Sequence, residues 1–90
     1  MPRKERVTKI IDGDTFETAS RKNPVRLANV DAPELGASGG GTAKRALENL
    51  IGGETVSINT VARDRYGRSV AKVKIGRRSV NKAMTDKLDE

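Results

Sequence analysis

The chain contains no histidine and no cysteine. Their absence removes the commonest general base, the commonest transition-metal ligand and every thiolate. Chemistry is left to carboxylates, guanidiniums, amines, hydroxyls and the single tyrosine, Tyr66. These groups are not spread evenly. Asp12, Asp14, Glu17, Asp31 and Glu34 gather in the first part of the chain, whereas Arg63, Arg65, Arg68, Lys72, Lys74, Arg77, Arg78 and Lys82 face one acid, Asp64. An acid cluster within a chain of net charge +6 has the pattern of a cation site beside a phosphate track. Nucleic acid is the usual partner of such a charge, although a solubilising surface gives the same balance.

Asp14 and Asp31 carry the first argument. If the hairpin joining their strands turns between Lys22 and Asn23, the two aspartates lie directly opposite, with Cα atoms about 4.5–5.5 Å apart. Carboxylates that close repel unless a positive charge separates them. A hard divalent cation with oxygen ligands, Ca²⁺ or Mg²⁺ rather than zinc, is one solution. Two aspartates that each cap a turn are the other, and spacing alone favours it because two carboxylates make an incomplete cage. Glu34, after a stiffening proline, could polarise a water as a general base or stand as an ordinary exposed loop acid.

Arg26 sits mid-strand among apolar neighbours. It could grip a phosphate bidentately or point outward from the sheet. Strict alternation puts it on the face opposite Asp31, so a shared site requires a bulge or strong coiling. Arg68 follows Asp64-Arg-Tyr-Gly67, a tight turn. It could be a second phosphate clamp with Tyr66 stacked on the nucleotide, or a solvated hairpin arginine. The glycine-rich stretch Gly36–Gly41 lacks the Gly-Lys-Ser/Thr order of a phosphate-binding loop and reads as a connection.

The elements that must position these residues follow from periodicity. Val7 to Ile11, Thr15 to Thr18 and Val25 to Val30 read as strands, separated by the turn signals Asp12-Gly13-Asp14 and Ser20 to Pro24. Ala43, Ala46, Leu47, Leu50 and Ile51 form the apolar face of a helix, capped by Thr42 at its start and Gly52-Gly53 at its end. Val56 to Thr60 and Ala71 to Ile75 alternate as strands, and Ser79 caps a short terminal helix carrying Val80, Ala83, Met84 and Leu88. The order predicts a mainly β chain with helices (α+β), a five-stranded OB-type barrel with an inserted helix and a short C-terminal helix. Residues 1–6 read as a basic N-terminal arm and residues 7–90 as a single domain.

Ninety residues, 34% hydrophobic and 33% charged, allow one domain with a thin core. The charged start leads into no apolar h-region, and no segment approaches the roughly 20 apolar residues of a membrane span. The chain as given reads as a cytoplasmic monomer with no membrane partner. Secretion after removal of a leader is the other possibility.

The blocks Ile11-Asp-Gly-Asp-Thr15, Val25-Arg-Leu27, Val30-Asp-Ala-Pro-Glu34, Asp64-Arg-Tyr-Gly-Arg68 and Ser79-Val-Asn81 closely resemble, in order, the successive motifs of the thermonuclease (staphylococcal nuclease-like) family. The resemblance spans residues 7 to 84. It implies a Ca²⁺-dependent phosphodiesterase acting on DNA, RNA or both and leaving a 5′-hydroxyl and a 3′-phosphate. On that resemblance Asp14, Asp31 and the backbone carbonyl of Ala32 hold calcium, with Asp12 in the outer shell. Glu34 orients or deprotonates the attacking water, Arg26 and Arg68 bind the scissile phosphate, and Tyr66 contacts the nucleotide. Ala32 departs from the family's common threonine, where only the carbonyl is needed. Better-known members also continue into a further helix with a second active-site aromatic.

A catalytically silent OB-type nucleic-acid-binding module is the alternative. Passive binding of single strands leans on stacking, about 1–3 kcal/mol per base, and this chain has only Phe16 and Tyr66 as aromatics. A basic assembly protein that touches RNA only through phosphates is a third possibility, with salt-sensitive binding and no metal requirement.

Overall fold

The computed structural model describes residues 3–89. Its elements, in chain order, are β1 (Arg3–Asp12), β2 (Thr15–Thr18), β3 (Val25–Leu27), α1 (Gly40–Ile51), β4 (Thr55–Arg63), β5 (Ser69–Ile75), β6 (Arg78–Ser79) and α2 (Val80–Leu88). The strands form one sheet in the order β3-β2-β1-β4-β5-β6, and a parallel pairing of β3 with β5 closes it. Five strands therefore make a closed mixed barrel, with α1 inserted between β3 and β4, the OB-type architecture expected. The sixth strand is a two-residue extension that leads into α2.

Closure demands that β1 serve two neighbours. Its first part, Arg3 to Arg6, pairs with Ile58 to Thr55, and its second part, Val7 to Asp12, pairs with β2. Register shifts between Val7 and Lys9 and between Ile10 and Asp12 coil the strand so that both pairings can be made. Alternation then fills the interior with Val7, Phe16, Val25, Leu27, Val56, Ile58, Ala71 and Val73. Leu47 and Ile51 of α1 and Val80 and Met84 of α2 join the same apolar cluster.

The structure corrects several sequence expectations. Residues 3–6, read as part of a basic arm, are paired strand, because Glu5 faces inward and finds polar partners there; residues 1 and 2 and Glu90 lie outside the described residues. The β2–β3 register also differs: Phe16 pairs with Val25 and Thr15 with Arg26. This register sets two fully buried apolar side chains against each other, whereas a turn at Lys22-Asn23 would set Phe16 against Asn29. Strand β3 stops at Leu27, not Val30, because Asn29 turns the chain with a φ of 62°.

Helix α1 starts two residues before Thr42, behind Gly39 in the left-handed conformation and with no side-chain cap. At its other end the Gly52 amide donates to the Glu48 carbonyl and Gly53 takes a positive φ, as the glycine pair suggested. Ser79 caps α2 through a bond from the Lys82 amide to its Oγ, at 3.1 Å.

Candidate active site

The turn between β1 and β2 is the centre of the site. Asp12 pairs with Thr15 across it, leaving Gly13 and Asp14 at the tip. Asp12 Oδ1 accepts the Asp14 amide at 3.1 Å, so the first aspartate fixes the backbone of the second. Gly13 is needed for close approach: a Cβ there would lie 2.6 Å from the Ala43 Cβ and 2.8 Å from the Ala32 Cβ. The glycine thus lets the turn, helix α1 and the Asp31–Glu34 loop meet at one point.

Asp14 is 6% exposed. Its carboxylate accepts the Thr15 hydroxyl at 2.9 Å, the Ala32 amide at 3.0 Å and Arg26 Nη2 at 3.4 Å. Burial by itself raises its pKa. The side-chain interaction with Asp12, the hydrogen bonds from Ala32 and Thr15, and the Arg26 charge more than offset that, and hold Asp14 below the ordinary carboxylate value. Asp12 moves the other way, raised by burial and then by its neighbour Asp14.

Asp14 lies across from Leu27, whose amide donates to the Asp14 carbonyl at 2.8 Å, and not across from Asp31. The two aspartates still share a neighbour. Arg26 Nη2 stands 3.4 Å from Asp14 Oδ2 and 3.7 Å from Asp31 Oδ1. Alternation had placed Arg26 and Asp31 on opposite faces, but alternation ends at Leu27. Asn29 redirects the chain, so the Asp31 loop returns beside the outward face of β3. Arg26 Nη1 also donates to the Leu27 carbonyl at 3.2 Å, which fixes its guanidinium.

Asp31 is fully exposed at its carboxylate, and the exposed Glu34 carboxylate has no hydrogen bond or ion pair among the described residues. The Glu34 backbone is held instead. Its carbonyl accepts the Ala37 amide, and Gly40 packs so closely that a Cβ there would collide with that carbonyl.

Arg68 is related to Arg26 through the sheet. Arg26 pairs with Val70 in the parallel β3–β5 ladder, so Arg68, two residues earlier, belongs to the same outward face. Asp64 shapes this corner: its Oδ1 accepts the Tyr66 and Arg68 amides, and its Oδ2 accepts Arg68 Nε at 2.6 Å. These bonds and the Arg68 charge lower the Asp64 pKa against a desolvation that raises it. Nε is occupied, and the terminal amino groups of Arg68 have no hydrogen bond or ion pair among the described residues. Tyr66, 70% exposed, lies between Arg65 and Arg68, 5.2 and 5.5 Å from their guanidinium carbons.

The structure therefore brings together Asp12, Asp14, Arg26, Asp31 and Ala32 by direct contact. Strand register puts Arg68 on the outward face it shares with Arg26, Tyr66 packs against Arg68, and Glu34 lies three residues beyond Asp31 in the same loop. None of the three is in direct contact with that cluster among the described residues. Sequence reasoning gave no site role to Thr15, Gly40 or Asn81, and read Gly13 and Asp64 only as turn residues. Asn81 is the least obvious. Its Nδ2 donates to the carbonyls of Ala28 and Ala71 while its Oδ1 accepts the Val73 amide, tying the exit of β3 to β5. Only its position in the Ser79-Val-Asn81 block hinted at importance.

The two carboxylates beside Arg26, Asp14 and Asp31, are the oxygen donors that a hard divalent ion prefers, and Ala32 meets Asp14 through its amide. No group of three or more acidic side chains close enough to hold a metal occurs among the described residues.

The family model described as staphylococcal nuclease homologue matches residues 24–87. The chain belongs to the staphylococcal nuclease family. The staphylococcal nuclease match includes Arg26, Asp31, Ala32, Glu34, Tyr66 and Arg68 but begins after Asp12 and Asp14. An Escherichia coli protein named uncharacterized endonuclease is 39% identical over 70 residues, covering 76% of this chain and 46% of its own length. One of the same name from Haemophilus influenzae is 37% identical over 82 residues, 88% of this chain and 46% of its own. The micrococcal nuclease of Shigella flexneri is 38% identical over 69 residues, 74% and 40%. The chain thus spans less than half the length of these curated relatives.

Proposed function

We propose that the chain is a calcium-dependent nuclease that hydrolyses phosphodiester bonds in DNA, RNA or both. The observation that carries this reading is the Arg26 guanidinium set between two carboxylates on the face that Arg68 shares. A cationic pair beside paired acids suits a reaction that builds negative charge on a phosphate.

Arg26 and Arg68 bind the non-bridging phosphate oxygens and stabilise the charge that grows as water attacks in line. Glu34 accepts a proton from that water, whose oxygen bonds to phosphorus as the P–O5′ bond breaks. The departing oxygen takes a proton from solvent, leaving a 5′-hydroxyl and a 3′-phosphate. Asp14, Asp31 and the Ala32 carbonyl would hold Ca²⁺, with Asp12 behind them; when bound, the ion supplies further positive charge at the phosphate. Tyr66 offers its exposed ring to the nucleotide.

The test is cleavage of fluorescent single-stranded DNA and RNA with Ca²⁺ and with excess chelator, against a Glu34→Gln control. Calcium-dependent cutting that disappears in the control supports the reading. Tight, salt-sensitive binding without cutting would replace it with the silent OB-type module.

A further inference from the structure

The outward face of β5 continues from the arginine corner as a cationic row that the chemistry above does not use. Arg68, Val70, Lys72 and Lys74 alternate outward, while Ala71 and Val73 are buried. From Arg68 to Lys74 the extended chain covers about 20 Å. Across the sheet, Lys72 pairs with Asn59, and Lys74 pairs with Ser57, which in turn pairs with Lys4. No acidic side chain occupies β4 or β5, all of whose residues are described.

A groove of about 280 Å³ lies along the other side of this row, between β5 and α2. Asn29, two residues before Asp31, lines it, together with Lys72, Lys74, Ser79, Lys82 and Thr85. Lys82 meets Asp86 at 3.3 Å, but both are well exposed, and a pair of this kind contributes little and exchanges readily. Lys72 and Lys74 have no ion pair among the described residues. Lysines are often placed on strands to protect a sheet edge. That role is not required here, because β5 is paired on both sides.

We propose that this face is a binding track for the sugar-phosphate backbone of a polynucleotide beyond the scissile bond. Lys72, Lys74 and Lys82 meet successive phosphates, while Asn59, Ser79 and Thr85 offer neutral hydrogen bonds. The track rests on the nuclease reading for its direction away from Arg26 and Arg68, and it extends that reading from one phosphate to several nucleotides. Recognition is of charge and spacing, so it is tolerant of sequence.

The test compares wild type, Lys72→Ala/Lys74→Ala and a charge-matched control, Lys9→Ala/Arg45→Ala. Binding and cleavage are measured on a single strand of about 20 nucleotides and on a dinucleotide, at salt from about 50 to 200 mM. Wild type is expected to prefer the long strand, and the lysine variant to bind it about tenfold more weakly with a KM about tenfold higher. Its log-affinity slope against log salt should fall by about 1.4, two single-strand phosphate contacts. The control should keep the wild-type slope. An unchanged long-strand affinity in the lysine variant, or an equal loss in the control, would overturn the track. Should wild type cut neither substrate, the nuclease reading fails, while the binding and salt slopes still decide the track.

Discussion

Arg26 and Asp14 are joined by a 3.4 Å ion pair in which the carboxylate is buried and the guanidinium half-buried, and the same Nη2 atom stands 3.7 Å from Asp31. The arginine is therefore both a partner for the acids and the group proposed to meet the phosphate. A lysine could neutralise charge but not span three acceptors with a fixed plane. Arg26→Lys is expected to lower the cleavage rate by about 100-fold with little change in unfolding midpoint. Single-turnover kinetics beside a urea titration would check this. A rate within a few-fold of wild type would remove the guanidinium from the proposed mechanism.

Glu34 presents an exposed carboxylate on a backbone held by Gly40 and the Ala37 amide. Replacing it by glutamine keeps shape and removes the proton acceptor. Glu34→Gln should reduce the chemical step by about 10²–10⁴-fold while the affinity for uncut strand, followed by anisotropy in chelator, stays within about twofold of wild type. A fall in affinity that matches the fall in rate would mean that Glu34 binds and does not act as base.

The two aspartates proposed to hold calcium differ in setting. Asp14 is buried, with its carboxylate aligned by Thr15 and Ala32, and Asp31 is exposed. Asp14→Asn should abolish Ca²⁺ dependence along with activity, whereas Asp31→Asn should raise the calcium concentration needed for half-maximal rate by about 10-fold or more. Calorimetric titration of Ca²⁺ into both variants measures the same order directly. Full activity of wild type in chelator would sink the metal proposal.

How much of this was legible in the sequence can be argued residue by residue. The barrel and both helices followed from alternation and from the Ala43–Ile51 stripe, because those patterns report what must be buried. Asp14, Arg26, Asp31 and Arg68 were identified as candidates from charge in unusual places and from resemblance. The route by which they meet was not legible. The expected hairpin register set Asp14 against Asp31, whereas the observed one sets it against Leu27, and the acids instead share Arg26 after the turn at Asn29. A left-handed asparagine leaves no periodic signal, and the register depends on the turn type as well as on loop length, which the polar stretch Ser20 to Pro24 does not reveal.

The Glu5–Arg21 pair was likewise invisible, since its partners are separated in sequence and each reads as surface charge. Glu5 is 4% exposed. Its carboxylate accepts Thr18, Ser20 and Arg21, whose Nη2 lies 2.8 Å away, while Arg21 Nη1 reaches Ser69. Burial raises the Glu5 pKa, but the Arg21, Ser20 and Thr18 bonds and the Arg21 charge outweigh it, so the folded value lies below the ordinary one. A depressed folded pKa adds stability above the unfolded-state value, about 4.3, and that stability is lost as pH falls through the folded value. Glu5→Gln should cost about 2–3 kcal/mol at pH 7, and the gap to wild type should narrow as pH drops below about 4. Urea midpoints across that range provide the check, and a gap independent of pH would show that the lost stability does not come from the carboxylate charge.

Gly40 links helix geometry to the Asp31–Glu34 loop and separates two expectations. Helix propensity alone predicts that replacing a helical glycine by alanine gains up to about 1 kcal/mol. Gly41 meets that condition, since a Cβ there would touch nothing, and Gly41→Ala should raise stability with activity unchanged. At Gly40 the added methyl would strike the Glu34 carbonyl, and either the helix start or the Asp31–Glu34 loop must move. Gly40→Ala is expected to lose about 1–3 kcal/mol and to cut activity more than tenfold even at temperatures where it is fully folded, because the displaced group is the proposed base. Thermal unfolding and cleavage rates of both variants side by side test this. If Gly40→Ala behaves like Gly41→Ala, the close packing of helix against loop does not position Glu34.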